Sequence, residues 1–253
     1  MAAGTETFDY FEAAKAPDEI GRLGPYRVLS TLGRGGMGQV FLAEDTRLER
    51  VVALKVMNKR FATTLNSRER FIREARSMAA IKHDNVVTVY EVGEHAGIPF
   101  MAMELLKGKP LEALIQSGER LSIDQVVDYT IEISRGLAAA HARGIVHRDI
   151  KPANIWIEEG SGRVKILDFG LALASAPSDT MTARGTVVGT PGYLSPEQAQ
   201  GDPLDDRSDL YSLGVVMYEL IAGKVPFEAK TVPELLIRII AHSPRRIEEL
   251  MPD

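Results

Sequence analysis

One short run, residues 147–154 with the sequence HRDIKPAN, brings together side chains that could do chemistry. It contains the carboxylate of Asp149, the ammonium group of Lys151 and the amide of Asn154. A carboxylate can accept a proton, an ammonium group can hold an anion, and an amide oxygen can bind a hard cation. These groups suit phosphoryl transfer, which depends chiefly on aligning the acceptor and neutralising phosphate charge. A capped turn without chemistry is the alternative.

A second carboxylate, Asp168, follows the β-like run 164–167. A carboxylate at the end of a strand is well placed to bind a hard cation. Asp168 is therefore the main predicted ligand for Mg²⁺, with the amide oxygen of Asn154 as the second.

A glycine-rich string, residues 33–38 with the sequence GRGGMG, fits the pattern G-x-G-x-x-G. A dinucleotide-binding fold would place a helix directly after this string, whereas here the β-type run 40–43 follows. The context favours a hairpin that covers phosphates, because glycines let backbone N–H groups approach an anion. A glycine-rich surface turn is the alternative.

A lysine, Lys55, interrupts an otherwise apolar strand pattern at residues 51–57. Burying an ammonium group is costly unless an anion accompanies it. We therefore expect Lys55 to hold the α- and β-phosphates, oriented by an ion pair with Glu74 on the next predicted helix. The alternative is that both side chains are solvated.

Composition limits the classes of function. The chain has 253 residues, 45% of them hydrophobic, and a formal net charge of −5, so it can bury a large core. Because nucleic-acid and membrane-surface binders usually carry a basic excess, we expect neither partner for this chain. The absence of cysteine excludes thiol catalysis and disulfides. We expect a cytoplasmic protein, since no signal peptide is predicted at its N-terminus.

The periodicity divides the chain into a strand-rich first third and a helix-rich remainder. Residues 1–25 are expected to be an extension. Five strand-like runs and one helix, with Asn66 and Glu69 as its capping box, follow up to about residue 105. Capping signals at Ser122 and Gln125, and again at Thr231 and Glu234, predict helices farther on. This order predicts an α+β fold of two lobes.

Taken together and in this order, the motifs resemble those of the eukaryotic-type (Hanks-type) protein kinase superfamily. The run 189–197, GTPGYLSPE, resembles the end of a kinase activation segment. The strings 36–38 (GMG) and 195–198 (SPEQ) are similar to those of bacterial Ser/Thr protein kinases. The resemblance implies a kinase domain over 26–253, with an N-lobe at about 26–104 of a five-stranded antiparallel sheet plus one helix, and a helical C-lobe at about 107–253.

The resemblance also implies a role for individual residues, with ATP and Mg²⁺, or Mn²⁺ in its place, as cofactors. Asp149, with Arg148 beside it, would orient the substrate hydroxyl. The catalytic group would be Asp149, Lys151, Lys55, Glu74 and Thr190. The ATP site would comprise Leu32, Gly33, Arg34, Gly35, Gly36, Met37, Gly38, Val40, Ala53, Lys55, Met103, Glu104, Leu106 and Trp156. Asp209 would hold the backbone of the catalytic loop.

Lys151 together with Thr190 resembles the Ser/Thr class, so the implied partners are protein substrates. Control by activation-loop phosphorylation is also implied, with Thr180, Thr182 and Thr186 as candidate phosphosites and a transient kinase dimer for trans-autophosphorylation. The family fold continues with further helices after the segment 231–241. The last helices of the fold are therefore expected to be missing from this sequence, which stops at Asp253. A membrane anchor beyond that residue in a longer product is left open.

Two departures and two alternatives accompany this interpretation. Trp156 stands where the family usually has Leu or Met beneath the adenine ring. Glu197 is expected to be unpaired, because the arginine that normally meets it does not occur in the sequence. The alternatives are a pseudokinase or scaffold that binds ATP or a partner without turnover, and a small-molecule phosphotransferase of the same fold.

Overall fold

The structure is a computed structural model that describes residues 8, 10–35, 38–62, 65–169 and 191–250. The chain forms two compact units. The first comprises Met1–Ala80 with Thr88–Leu106, and the second comprises Ile81–Val87 with Lys107–Asp253. No helix in the described part of the chain is long and apolar enough to cross a membrane.

The first unit is built on a six-stranded antiparallel sheet with the order β1-β2-β3-β4-β6-β5. Its strands are β1 (Gly21–Leu23), β2 (Tyr26–Arg34), β3 (Gly38–Asp45), β4 (Arg50–Met57), β5 (Val89–His95) and β6 (Ile98–Glu104). Two helices, α1 (Lys59–Ala62) and α2 (Leu65–Ala79), follow β4. The fold of this unit matches the predicted combination of sheet and helix.

The sheet has one strand more than expected, because part of the predicted N-terminal extension joins it. Strand β1 pairs with β2. Ahead of β1, the rings of Phe8 and Phe11 lie 5.2 and 5.0 Å from the ring of Phe41 on β3, which is fully buried. These aromatic residues remove apolar surface from water only when the segment folds back over the sheet. The described part of the predicted extension, residues 1–25, thus packs on the sheet and supplies its first strand.

Helix α2 agrees with its predicted apolar face but not with its predicted start. Phe71, Ala75 and Met78 are all buried, as their helical spacing indicated. Asn66 is itself a helical residue, so the capping box predicted for Asn66 and Glu69 is wrong.

The second unit is mainly helical and carries a small three-stranded sheet, with the order β7-β8-β9. Its strands are β7 (Gly108–Pro110), β8 (Ile155–Glu158) and β9 (Val164–Ile166). Its helices are α3 (Leu111–Gln116), α4 (Ile123–His141), α5 (Pro196–Gln200), α6 (Asp206–Ala222) and α7 (Val232–Ala241). Short 3-10 turns occupy Pro152–Asn154, Pro191–Tyr193 and Ile247–Glu249.

The linking segment Ile81–Val87 belongs to the second unit because its backbone is bonded there. The amide of Val87 donates to the carbonyl of Ile166 at 3.0 Å, and the side-chain amide of Asn85 donates to Glu132 and to the carbonyl of Val164. Helix α4 passes so close that a Cβ on Gly136 would lie 2.8 Å from the carbonyl oxygen of Asn85. A glycine is therefore needed where α4 crosses this segment.

Helix α4 begins with the predicted capping box. The amide of Gln125 donates to Ser122 Oγ at 3.2 Å, and the amide of Ser122 donates to Gln125 Oε1 at 2.9 Å. Two amides that lack partners inside the helix are thereby satisfied. The predicted cap of α7 is also confirmed, since the amide of Glu234 donates to Thr231 Oγ1.

Replacing Ser122 with Ala is expected to lower the free energy of unfolding by about 1 kcal/mol, because the amide of Gln125 loses its acceptor. Urea denaturation followed by circular dichroism measures this. Ser77→Ala is the matched control, since Ser77 lies inside α2 and its hydroxyl donates to the carbonyl of Arg73 instead of capping a helix. That control should be neutral or slightly stabilising. Equal losses in both variants would contradict the capping account.

Candidate active site

The run 147–154 is a loop between α4 and β8, and a buried carboxylate holds its backbone. Asp209 on α6, 1% exposed, accepts the amide of His147 at Oδ2 and the amide of Arg148 at Oδ1, each at 2.7 Å. Nε2 of His141 on α4 lies 2.7 Å from the same Oδ2. Because one carboxylate accepts both amides, and the bond from His147 is buried, the loop backbone has one strongly preferred conformation. The predicted role of Asp209 agrees with this geometry.

Asp149 has the predicted partners that lie in the same loop. Nζ of Lys151 lies 3.0 and 2.8 Å from the two carboxylate oxygens of Asp149. The amide nitrogen of Asn154 donates to the backbone carbonyl of Asp149 at 2.8 Å and to its Oδ2 at 2.9 Å. The carboxylate is partly exposed, at 22%. A carboxylate fixed by two donors yet open to solvent can meet an incoming hydroxyl group.

His147 connects this loop to the strand that ends near Asp168. The amide of Asp149 donates to His147 Nδ1 at 3.2 Å, while His147 Nε2 donates to the carbonyl of Leu167 at 2.8 Å. One ring nitrogen accepts and the other donates, which is the pattern of a neutral imidazole. Complete burial lowers the pKa of His147, in agreement with the neutral form. The ring also packs on Phe169, with centroids 4.6 Å apart.

The predicted metal ligands, Asn154 and Asp168, are brought to the same part of the second unit. The amide of Leu167 donates to the carbonyl of Asn154 at 2.8 Å, so the residue before Asp168 is tied to Asn154. Asp168 has a φ of 47°, a left-handed conformation that is uncommon outside glycine. Such backbone strain is typical of functional sites.

These two residues fit a hard cation in their chemistry. The amide nitrogen of Asn154 is used by Asp149, so its oxygen Oδ1 is the atom that could bind a metal. Together with the carboxylate of Asp168 it offers hard oxygen donors, and Mg²⁺ commonly takes its other ligands from water and phosphate. Among the described residues there is no group of three or more His, Cys, Asp or Glu side chains that could hold a metal ion.

In the first unit, Lys55 lies on β4 between Val40 of β3 and Met101 of β6. Its exposure of 9% makes it a buried cation, as the apolar run around it suggested. Glu74 lies on α2 and is half-buried. The Lys55–Glu74 ion pair stays a prediction.

The glycine-rich string joins β2 to β3, so the predicted hairpin is confirmed and a helix after the string is excluded. The amide of Gly35 donates to the carbonyl of Gly38 at 2.9 Å and narrows the turn. A Cβ on Gly38 would lie 2.4 Å from the carbonyl oxygen of Val56, so this glycine is required by the approach of β4. Gly36 and Met37 lie outside the described residues.

The remaining predicted ATP contacts are placed as follows. Leu32 is half-exposed on β2, and Gly33 and Arg34 are paired with β3. Ala53 and Met103 are paired neighbours on β4 and β6 and are both buried.

The other predicted ATP contacts lie at the end of β6 and on β8. Glu104 is the last residue of β6, and its side chain accepts the amide of Thr88 at 2.6 Å. Leu106 is the last residue of the first unit. Trp156 lies on β8, where its indole N–H donates to the carbonyl of Lys107. Their contacts with a nucleotide stay predictions.

Thr190 and the candidate phosphosites Thr180, Thr182 and Thr186 lie outside the described residues. Their predicted roles are not tested.

Glu197 has a hydrogen-bond partner that sequence reasoning did not anticipate. Ser208 Oγ on α6 donates to Glu197 Oε1 at 2.5 Å. Burial acts to raise the pKa of Glu197, but hydrogen bonds led by that of Ser208 outweigh it and lower the pKa below its usual range. The expectation that Glu197 lacks its arginine partner stays a prediction, but the carboxylate does have a hydrogen-bond donor in the Ser208 hydroxyl.

Ser208→Ala is expected to raise the pKa of Glu197 and to lower the free energy of unfolding at neutral pH by about 1 kcal/mol. A carboxyl whose folded-state pKa is depressed stabilises the protein above its unfolded pKa, and this contribution disappears as the pH falls through the folded value. The loss caused by the substitution should therefore shrink on acidification. NMR titration of the Glu197 carboxyl carbon, with urea denaturation at neutral and acidic pH, measures both effects.

Ser161→Ala is the matched control, because the Ser161 hydroxyl donates to Glu158 at an exposed site. It should change stability little at either pH. A Glu197 pKa that does not move in Ser208→Ala would contradict the role of this hydrogen bond.

Sequence reasoning also missed Gln198 and His141. The S-x-x-Q spacing of Ser195 and Gln198 is a capping-box signal that could have located the start of α5. The side-chain amide of Gln198 in addition donates to the carbonyl of Arg148 at 2.7 Å, a contact across 50 residues that no local pattern encodes.

The sequence of this chain is similar to those of known protein kinases. A family model for the protein kinase domain matches residues 26–250. A probable serine/threonine-protein kinase of Streptomyces coelicolor is 45% identical over 81% of this chain and 31% of its own length. PknB of Mycobacterium leprae is 43% identical over 80% of this chain and 33% of its own length, and PrkC of Bacillus subtilis is 39% identical over 85% and 33%. The chain spans about a third of the length of these curated relatives.

Solved structures give the same result for the fold. The crystal structure of the PknI kinase domain of Mycobacterium tuberculosis matches with a TM-score of 0.71 and 26% identity, over 95% of this chain and 86% of that one. The predicted α+β kinase fold is confirmed by this match.

Proposed function

The chain belongs to the protein kinase domain family, and we propose that it transfers the γ-phosphoryl group of ATP to serine and threonine hydroxyls of proteins. The observation that carries this proposal is Asp149, a partly exposed carboxylate fixed by Lys151 and Asn154 in a loop anchored on Asp209. All the named relatives are serine/threonine-protein kinases by name, which supports the same class of substrate.

In the proposed reaction the hydroxyl oxygen of the substrate attacks the γ-phosphorus, and the bond from that phosphorus to the β–γ bridging oxygen breaks. The products are a phosphoester and ADP. Asp149 accepts a hydrogen bond from the hydroxyl group, orients it, and takes up its proton as the new bond forms. A carboxylate suits this role because it has only acceptor oxygens when ionised.

Lys151 would assist the same phosphoryl transfer by contacting the γ-phosphate. Its ammonium group lies within 3.0 Å of Asp149, so it is already directed to the place where the hydroxyl must lie. There it would neutralise the charge of the γ-phosphate as the phosphoryl group moves. Lys55, buried on β4, would hold the α- and β-phosphates, and the backbone of the glycine-rich hairpin would cover them.

Asn154 and Asp168 would hold Mg²⁺, which when bound supplies positive charge to the phosphates. Both residues also act without the metal. Asn154 fixes Asp149 through its amide nitrogen, and the backbone before Asp168 is bonded to His147 and Asn154.

The substrates are proposed to include this chain itself. Thr180, Thr182 and Thr186, between Asp168 and Glu197, are the candidate acceptors, with Thr182 as the first choice. Autophosphorylation in trans would need a transient dimer of two kinase domains. A cation, Arg148, directly precedes Asp149, and it would pair with the phosphate of a phosphorylated activation-loop threonine.

The scaffold alternative lacks a specific observation in its favour. Its usual signature is loss of the catalytic Asp, the metal-binding Asp or the strand Lys, whereas Asp149, Asp168 and Lys55 are all present. A small-molecule phosphotransferase is disfavoured by the run 189–197, which resembles the segment that docks a peptide.

The test is transfer of label from [γ-³²P]ATP to generic protein substrates, comparing wild type, Lys55→Met and Lys82→Met. We expect wild type to label protein and Lys55→Met to lose about 10²-fold in kcat/KM or more, because the phosphates lose a positioning cation. Lys82 is exposed, so its variant should match wild type. Wild type that binds ATP without labelling protein would support a scaffold, and label found only in small molecules would support a small-molecule phosphotransferase.

A further inference from the structure

The backbone of Arg148, the residue before Asp149, is held at both its amide and its carbonyl group. Arg148 has a φ of 68°, a left-handed conformation that a residue with a side chain seldom adopts. Its amide donates to Asp209 Oδ1 on α6, and its carbonyl accepts from Gln198 Nε2 on α5, each at 2.7 Å. A disfavoured backbone conformation persists only where its surroundings enforce it. Two side chains from two helices enforce this one.

Gln198 performs two tasks with one side chain, and its exposure is only 6%. Its side-chain oxygen Oε1 accepts the backbone amide of Ser195 at 2.9 Å. The backbone amide of Gln198 donates to Ser195 Oγ at 3.3 Å, and the two bonds form the capping box of α5. Its nitrogen Nε2 makes the bridge to Arg148. A carboxylate at this position could form the capping box, since glutamate is common there, but it has no hydrogen to donate to a carbonyl.

The chain contains a second capping box of the same composition, and it separates the two tasks. Gln125 caps α4 with Ser122 at an exposed position, and among the described residues its side chain bonds only within the box. Because both Glu and Gln occur at this position of capping boxes, capping alone does not require the amide nitrogen. The amide nitrogen matters at residue 198 because of Arg148.

We propose that Gln198 is a positioning residue for Asp149, linking the short helix α5 to the catalytic loop so that the carboxylate after Arg148 keeps one orientation. This inference rests on the proposed kinase function. It also means that a displacement of α5, whose first two residues belong to the run 189–197, would be passed to the backbone before Asp149 through the Gln198 side chain. The residue would act through the loop backbone, since its side chain bonds to Ser195 and to the carbonyl of Arg148.

The test compares wild type with Gln198→Glu, which keeps the cap and removes the bridge, and with Gln125→Glu as the matched control. Gln198→Met is the second variant, because it removes the bridge without burying a charge. Each protein is assayed for kcat and for the KM of ATP, and hydrogen exchange is followed in peptides that cover 145–154. Unfolding midpoints are recorded to correct for any unfolded fraction.

We expect kcat of both Gln198 variants to fall between about tenfold and a hundredfold, since small misplacements of catalytic groups have effects of that size. The KM of ATP should stay within about twofold, and peptides covering 145–154 should exchange faster. Gln125→Glu should match wild type in all three measurements. A wild-type kcat in Gln198→Glu, or an equal fall in Gln125→Glu, would overturn the inference. If wild type itself transfers no phosphate, the kinase proposal fails, and unchanged exchange in the Gln198 variants would then overturn the bridge separately.

Discussion

Replacing Asp149 with Asn is expected to lower kcat by about 10³-fold, the range attributed to a positioned general base. The amide of asparagine has nearly the same shape, but it does not take up a proton and it presents an NH₂ group where Lys151 now meets a carboxylate oxygen. Nucleotide affinity should change little, because the predicted phosphate contacts come from other residues. Steady-state kinetics with a protein substrate and titration with a nucleotide analogue measure the two quantities.

Asp128→Asn is the matched control for this change, since Asp128 is an exposed residue of α4. It should retain wild-type kcat and stability. A kcat in Asp149→Asn within about tenfold of wild type would mean that another group orients the hydroxyl, and the account of the catalytic loop would then be wrong.

Replacing Asp209 with Ala should have the largest effect on stability, lowering the free energy of unfolding by about 3–5 kcal/mol. The amides of His147 and Arg148 would lose their shared acceptor in a buried site, and the ring of His141 would lose its partner. Each buried donor left without an acceptor costs about 1–3 kcal/mol. Urea denaturation monitored by circular dichroism checks the magnitude.

Asp206→Ala is the control within the same helix, because Asp206 lies exposed in the first turn of α6. It should cost less than about 1 kcal/mol, the usual value of a carboxylate near a helix N-terminus. An equally small loss in Asp209→Ala would show that the catalytic loop does not depend on this carboxylate. If Asp209→Ala loses much stability but its folded fraction keeps the wild-type kcat, then Asp209 stabilises the loop without affecting catalysis.

Much of the candidate site could be predicted from sequence because its parts are close together along the chain. Asp149, Lys151 and Asn154 lie within six positions, and the structure brings them into contact. The capping box of α4 and the N-cap of α7 depend on residues three apart, so a local pattern suffices. The alternation of short strand-like runs likewise placed most of the sheet of the first unit.

The features that were missed depend on contacts between distant residues. The segment of strand β1 packs on the sheet because Phe8 and Phe11 contact Phe41, which lies thirty or more positions later in the chain. A strand of only three residues is also too short to show a periodic pattern in the sequence. The hydrogen bond from Ser208 to Glu197 and that from Gln198 to Arg148 arise only when helices pack. The capping box predicted at Asn66 failed although Asn66 and Glu69 have the right spacing. The helix already includes Leu65, so Asn66 lies inside it and is not its N-cap.

The central claim is that Asp149 directs phosphoryl transfer from ATP to serine and threonine hydroxyls. Its most direct test is phosphoamino-acid analysis of a protein substrate after incubation with the purified chain, Mg²⁺ and [γ-³²P]ATP, with Asp149→Asn in parallel. The account predicts label in phosphoserine and phosphothreonine with wild type and almost none with the variant. Label confined to phosphotyrosine, or equal labelling by both proteins, would contradict it.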